Sequence, residues 1–133
     1  MKLRIYVGEH ETYREYVENA FSSRPEIDRL DIEMQDIPRS NKIPLGFDIY
    51  LLHVSHFTLE QVRELRFHEP GAVVMLRNQN AETPLIDLGI SHDGKPLRIH
   101  GWYGPSLQKH RLVARGINDD LGQKCLQILN RHS

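Results

Sequence analysis

Apolar and polar residues change their period several times along this chain, and each change marks an element. The most apolar run, Phe47-Asp48-Ile49-Tyr50-Leu51-Leu52-His53-Val54-Ser55, follows Pro44 and Gly46 and stops on polar residues at His53–His56. A run this short and continuous predicts a strand covered on both faces, as strands are in parallel sheets under helices. Thr58-Leu59-Glu60-Gln61 then carries a capping-box pattern, and a helix is expected from there to about His68, ahead of Pro70-Gly71. Ala72 to Leu76 is again continuous and apolar. The three pieces predict a β-α-β unit, whose right-handed crossover fixes much of the topology.

Upstream, Lys2 to Val7 predicts a first strand, stopped by Gly8-Glu9-His10. Tyr13, Tyr16, Val17, Ala20 and Phe21 then fall at helical spacing, with Arg14, Glu15, Glu18 and Asn19 on the other face. Ser22-Ser23-Arg24-Pro25 ends that helix, because the residue before a proline avoids helical geometry. A second strand is expected over Ile27–Met34; Leu30, Ile32 and Met34 alternate with Asp31 and Glu33, which leaves one face exposed and places it near a sheet edge. Asp36 to Gly46 holds Pro38, Pro44 and Gly46 and leaves no room for an ordinary helix.

Beyond Leu76 two readings stand. Arg77 to Gly94 is a short irregular helix leading to a fifth strand at Leu97–His100, or a β-hairpin turning at Asp93-Gly94. Ser106 can cap a final helix, in which Leu107, Val113, Ala114, Ile117, Leu121, Cys125 and Ile128 keep roughly one phase. Gly116 and Asn118-Asp119-Asp120 are able to split it.

Composition narrows the function classes. At 133 residues the chain is expected to be one domain, 1–133. A net charge of -1 and a pI of about 6.7 give no electrostatic case for direct contact with nucleic acid or an anionic membrane. The last segment is somewhat basic through Lys109, Arg111, Arg115, Lys124 and Arg131, but Asp119 and Asp120 interrupt it, which fits a solvated face. The single cysteine, Cys125, excludes an internal disulfide, sits on the apolar phase of the last helix, and fits a reducing cytosol. No stretch approaches the ~20 apolar residues of a membrane span, and the start lacks an apolar signal core. A cytoplasmic location is expected.

The order of these elements, with the motifs at their ends, resembles the receiver domains of two-component response regulators. Tyr6-Val7-Gly8-Glu9-His10 followed by Tyr13-Arg14-Glu15 is similar to the receiver opening, where two acids close the first strand and hold a divalent metal; here the first acid is Gly8 and only Glu9 remains. The run ending at His53 resembles the third strand, whose last residue is the phosphorylated aspartate. Val73-Val74-Met75-Leu76-Arg77-Asn78 resembles the fourth strand, with Arg77 in place of the threonine or serine that senses phosphate. Trp102-Tyr103-Gly104-Pro105 stands where receivers carry a lysine-proline pair, with Gly104 replacing the lysine. The resemblance implies an α/β, flavodoxin-like, three-layer fold: a central, mostly parallel five-stranded sheet, no second helix, and an extended C-terminal helix. It also implies that the chemistry is lost, since phosphoryl transfer to aspartate needs the carboxylate, a metal held by acids and a cation. The expectation is a pseudo-receiver without catalysis.

Ligands in open α/β sheets gather beyond the carboxyl ends of the strands. The residues expected there are Glu9, His10, His53, Ser55, His56, Arg77, Asn78, Trp102 and Tyr103. His10, His53 and His56 do not have the spacing of a known metal motif, and neither metal nor cofactor is expected. Arg77 with His53 could form an anion site, since arginine matches phosphate oxygens, or Arg77 could pair with Glu9 and lock one conformation. An enzyme of related TIR-like or deoxyribosyltransferase-like fold, using Glu9 or else Glu60 or Glu64, is the alternative, as a small nucleotide-handling protein. Trp102 and Tyr103 are candidate anchors for a protein partner, or else cover a sheet edge. The expected function is a signalling or regulatory protein-interaction module that forms a homodimer.

Overall fold

The computed structural model describes residues 1–22, 24–35, 42–77, 87–106, 111–116 and 120–132. Strand β1 (Lys2–Gly8) leads through a single 3-10 turn (Glu11–Tyr13) into helix α1 (Arg14–Phe21) and strand β2 (Arg29–Met34). Strand β3 (Ile49–His53), helix α2 (Leu59–His68) and strand β4 (Val73–Arg77) follow. A hairpin of β5 (Asp87–Ile90) and β6 (Pro96–Arg98), then β7 (Gly101–Pro105), β8 (Leu112–Ala114) and α3 (Leu121–His132), complete the order. The main sheet has six strands in the order β2-β1-β3-β4-β7-β8. All neighbours are parallel except β7 and β8, while β5 and β6 form a separate antiparallel pair.

The fold is therefore α/β with a mostly parallel sheet, packed on both faces. Alternation along the strands sorts the core. Leu3, Ile5 and Val7 of β1, Ile49 and Leu51 of β3, and Val73 and Met75 of β4 meet Val17, Ala20 and Phe21 of α1 and Leu121, Cys125 and Leu126 of α3. Tyr6, Tyr50, Leu52, Val74 and Leu76 turn the other way, toward Val62 and Leu65 of α2 and Leu88 and Leu97 of the hairpin. All five residues of β3 are buried, as the continuous run requires. α2 starts on a complete capping box: the Gln61 amide donates to the Thr58 hydroxyl at 3.1 Å, and the Thr58 amide to Gln61 Oε1 at 2.8 Å. α3 crosses α1 so closely that a side chain at Gly122 would strike the Ala20 carbonyl.

Three expectations change. The sheet has six strands, not five. The alternating Leu97–His100 segment is not its fifth strand: β6 ends at Arg98 in the hairpin, and the strand beside β4 is Gly101–Pro105. The hairpin reading holds downstream of residue 86; residues 78–86 lie outside the described ones. The final helix is shorter than its apolar phase suggested, because Leu112–Ala114 pairs antiparallel with β7 and α3 begins at Leu121. The Ser106 amide donates to the Arg111 carbonyl at 2.7 Å; residues 107–110, where the helix it was expected to cap would start, and Ile117 lie outside the described residues. β2 is at a sheet edge, and among the described residues no helix stands between β2 and β3. No helix among the described residues is long and apolar enough to cross a membrane.

Candidate functional site

Parallel strands end in register at one edge of the sheet, and that edge assembles the site. His53 of β3 lies beside Arg77 of β4, which lies beside Tyr103 of β7. Glu9 leaves the end of β1 and is 1% exposed. Its carboxylate accepts from Arg77 Nε at 2.6 Å on Oε1 and from the Tyr103 hydroxyl at 2.8 Å on Oε2. The Arg77 guanidinium also stacks on the Tyr13 ring, 4.6 Å from its centre. Burial pushes the Glu9 carboxyl above the ordinary carboxylate range, and the bonds from Tyr103 and Arg77 pull it back only in part. Burial, and then the neighbouring Glu9, hold the Tyr103 phenol far above its usual value, so it stays a donor.

His53 and His56 form the second half of the site. Their rings stack at 5.1 Å between centres. His53 Nδ1 accepts from the Ser55 amide at 3.1 Å and faces the Ser55 hydroxyl at 2.6 Å, which places the ring proton of neutral His53 on Nε2. Burial, and then the charge of Arg77, push its pKa down, so His53 is neutral at physiological pH. His56 Nδ1 and Trp102 Nε1 are buried without a hydrogen-bond partner among the described residues.

Two glycines leave room that other side chains occupy. A side chain at Gly8 would start 2.5 Å from Phe57 Cζ, so the ring occupies that space. A side chain at Gly104 would start 2.5 Å from Arg115 Nη2.

The structure thus brings Glu9, Arg77, His53 and His56 together, and the pairing of Arg77 with Glu9 is formed. His10 stands apart: it is exposed and caps the 3-10 turn, with Nδ1 accepting from the Thr12 amide at 3.2 Å. Among the described residues no group of three or more His, Cys, Asp or Glu could hold a metal ion. Asn78 lies outside the described residues. Tyr103, expected as a partner anchor or as cover for a sheet edge, lies in β7 and is 1% exposed; Trp102 is partly buried and packs against the α2-side core. Tyr103 as the second donor to Glu9 was missed, since placing the fifth strand at Leu97–His100 put it beyond the sheet. Glu60 and Glu64 lie on α2 and pair with Arg63 and His68, away from Glu9.

No family model matches the chain, and neither a curated protein nor a solved structure matches it.

Proposed function

We propose that this chain is a receiver-like domain without catalysis, a pseudo-receiver that works by binding other proteins in a signalling or regulatory complex, as a homodimer in the cytoplasm. The strand order β2-β1-β3-β4-β7 supports the flavodoxin-like part of this reading, since it follows the 2-1-3-4-5 order of that doubly wound class. One observation carries the functional part. The acid that would help hold a metal, Glu9, has both oxygens engaged by Arg77 and Tyr103 inside the protein. The position of a phospho-acceptor is a neutral histidine, and the places of the second acid and of the lysine belong to Phe57 and Arg115.

Anion sensing through Arg77 is a second reading. It draws support from the 12% exposure of the Arg77 side chain, which leaves one side of the ion pair open to an incoming anion. The enzyme alternative would use Glu9 as nucleophile or base, and that carboxylate is already occupied by two donors.

Incubation with acetyl phosphate and magnesium, followed by intact mass and light scattering after size exclusion, tests the proposal. The expected result is no added phosphoryl mass and an unchanged dimer. A mass gain at His53, or at any other residue of this edge, would overturn it.

A further inference from the structure

The two edges of the main sheet are finished differently. β8 is three residues long, and Val113 is bridged on its far side by Asp120. β2 is six residues long, holds neither proline nor glycine, and among the described residues has a paired neighbour on one side only. Its ladder with β1 determines which backbone groups are left over. The Gln35 amide donates to the Val7 carbonyl at 2.8 Å, and Val7 is registered with Met34. In a parallel ladder this turns the odd-numbered residues of β2 toward β1 and the amides and carbonyls of Leu30, Ile32 and Met34 outward. Long edges with free ladder groups pair with further strands unless something blocks them.

Charge selects the partner. On one face of β2 the side chains read Arg29, Asp31, Glu33, a sequence of one positive and two negative groups. Among the described residues no helix stands between β2 and β3 to cover them. Turned antiparallel against itself, this series is self-complementary when Leu30 faces Ile32 of a second copy. Arg29 then faces Glu33 of the second copy, and Glu33 faces its Arg29. The two Asp31 carboxylates meet on the two-fold axis, each next to its own Arg29, whose Nε is 3.3 Å away. Leu30 and Ile32, both half-buried, come side by side on the opposite face. Only outward-facing residues can exchange ladder bonds, and Leu30 and Ile32 are both of that kind.

We infer that β2 is the dimer interface: two copies of this chain join β2 to β2 antiparallel, in the Leu30–Ile32 register, and continue one sheet through both. This rests on the homodimer of the preceding reading and gives it a site; it does not depend on the loss of phosphorylation. A single strand pair is smaller than a standard protein interface, so the dimer is expected to dissociate on dilution.

Light scattering across a dilution series, with hydrogen exchange on the same samples, tests it. The outward amides of Leu30, Ile32 and Met34 should become protected as concentration rises, while the β1–β2 amides stay protected throughout. Arg29→Glu sets glutamates opposite Glu33 twice and should weaken the dimer at least tenfold. Adding Glu33→Arg restores opposite charges and should return most of the affinity. Asp31→Asn removes the like-charge contact on the axis and should tighten the dimer several-fold. These side chains are on the surface, and unchanged thermal unfolding of the monomer would verify that each variant folds. A dimer that survives Arg29→Glu with the three amides exchanging freely would keep the homodimer and overturn this interface. A monomer at every concentration would overturn both. Failure of the double variant to rescue would overturn the register.

Discussion

Strand β4 runs between two largely buried arginines that solve the same problem in opposite ways. At its amino end Arg66, 8% exposed, donates to main-chain carbonyls: Arg98 at 3.0 Å, Ala72 at 3.2 Å, Pro70 at 3.3 Å and Glu69 at 3.5 Å. At its carboxyl end Arg77 donates to the carboxylate of Glu9 and lies on the Tyr13 ring. Carbonyls present partial charge only, and burial accordingly pulls the pKa of Arg66 below the usual guanidinium value. They also belong to the backbone, so no ligand can replace them without unfolding the α2–β4 turn. The partner of Arg77 is a side chain that can move or change protonation. The first arginine is a fastener, and the second is a pair that an anion or a proton could in principle open.

The sharpest way to break that contrast is to remove each guanidinium in turn. Arg77→Met leaves the Glu9 carboxyl buried without its ion-pair partner, and a loss of about 3–5 kcal/mol is expected in urea unfolding. Adding Glu9→Gln should recover most of it, because the uncompensated charge goes too. Equal instability of the single and double variants would mean the pair is not the source of the cost. Arg66→Met should cost roughly 2–3 kcal/mol through unsatisfied carbonyls. No single second substitution should restore it, since its acceptors are backbone; a side-chain suppressor would blur the distinction between the two sites.

The smallest expected effect is a pH slope. The pKa of His53 is depressed in the folded state, so the unfolded chain binds more protons as pH falls. Its contribution to stability is present above the ordinary histidine value of about 6.5 and is lost as pH falls through the folded value. Equilibrium unfolding of wild type and His53→Gln, compared between neutral and mildly acid pH, should show a shallower decline for the variant. Parallel curves would place the acid sensitivity in another group.

Much of the scaffold was legible because burial on both faces leaves a pattern that a short window can see. β3, the capping box of α2 and β4 follow from Phe47–Leu76, and the edge position of β2 follows from the Asp31 and Glu33 alternation. β8 was not legible. Its residues Leu112, Val113 and Ala114 are all buried, and three consecutive apolar residues fit a helical stripe as well as a strand. Leu97-Arg98-Ile99-His100 alternates as a strand should, yet part of that signal comes from the hairpin packing on α2 and the rest from His100, whose Nδ1 accepts from the Val74 amide at 3.0 Å. That error moved Tyr103 to the surface. The meeting of Glu9 with Arg77 was foreseeable, because the parallel strands β1, β3 and β4 end in register and bring their last residues to one edge of the sheet.

The ring of Phe57, set against Gly8, bears on evolution. If the chain descends from a phosphorylated ancestor, exchanging His53 for aspartate would return a nucleophile but not the metal site beside it. The missing acid would have to be placed at Gly8, where Phe57 is itself buried in the α2-side core and has little room to retreat. Each step back would be harmful before the next could help. On that descent the loss of chemistry would work as a ratchet, and selection could act on the surfaces of this protein without pulling its pocket back toward phosphate.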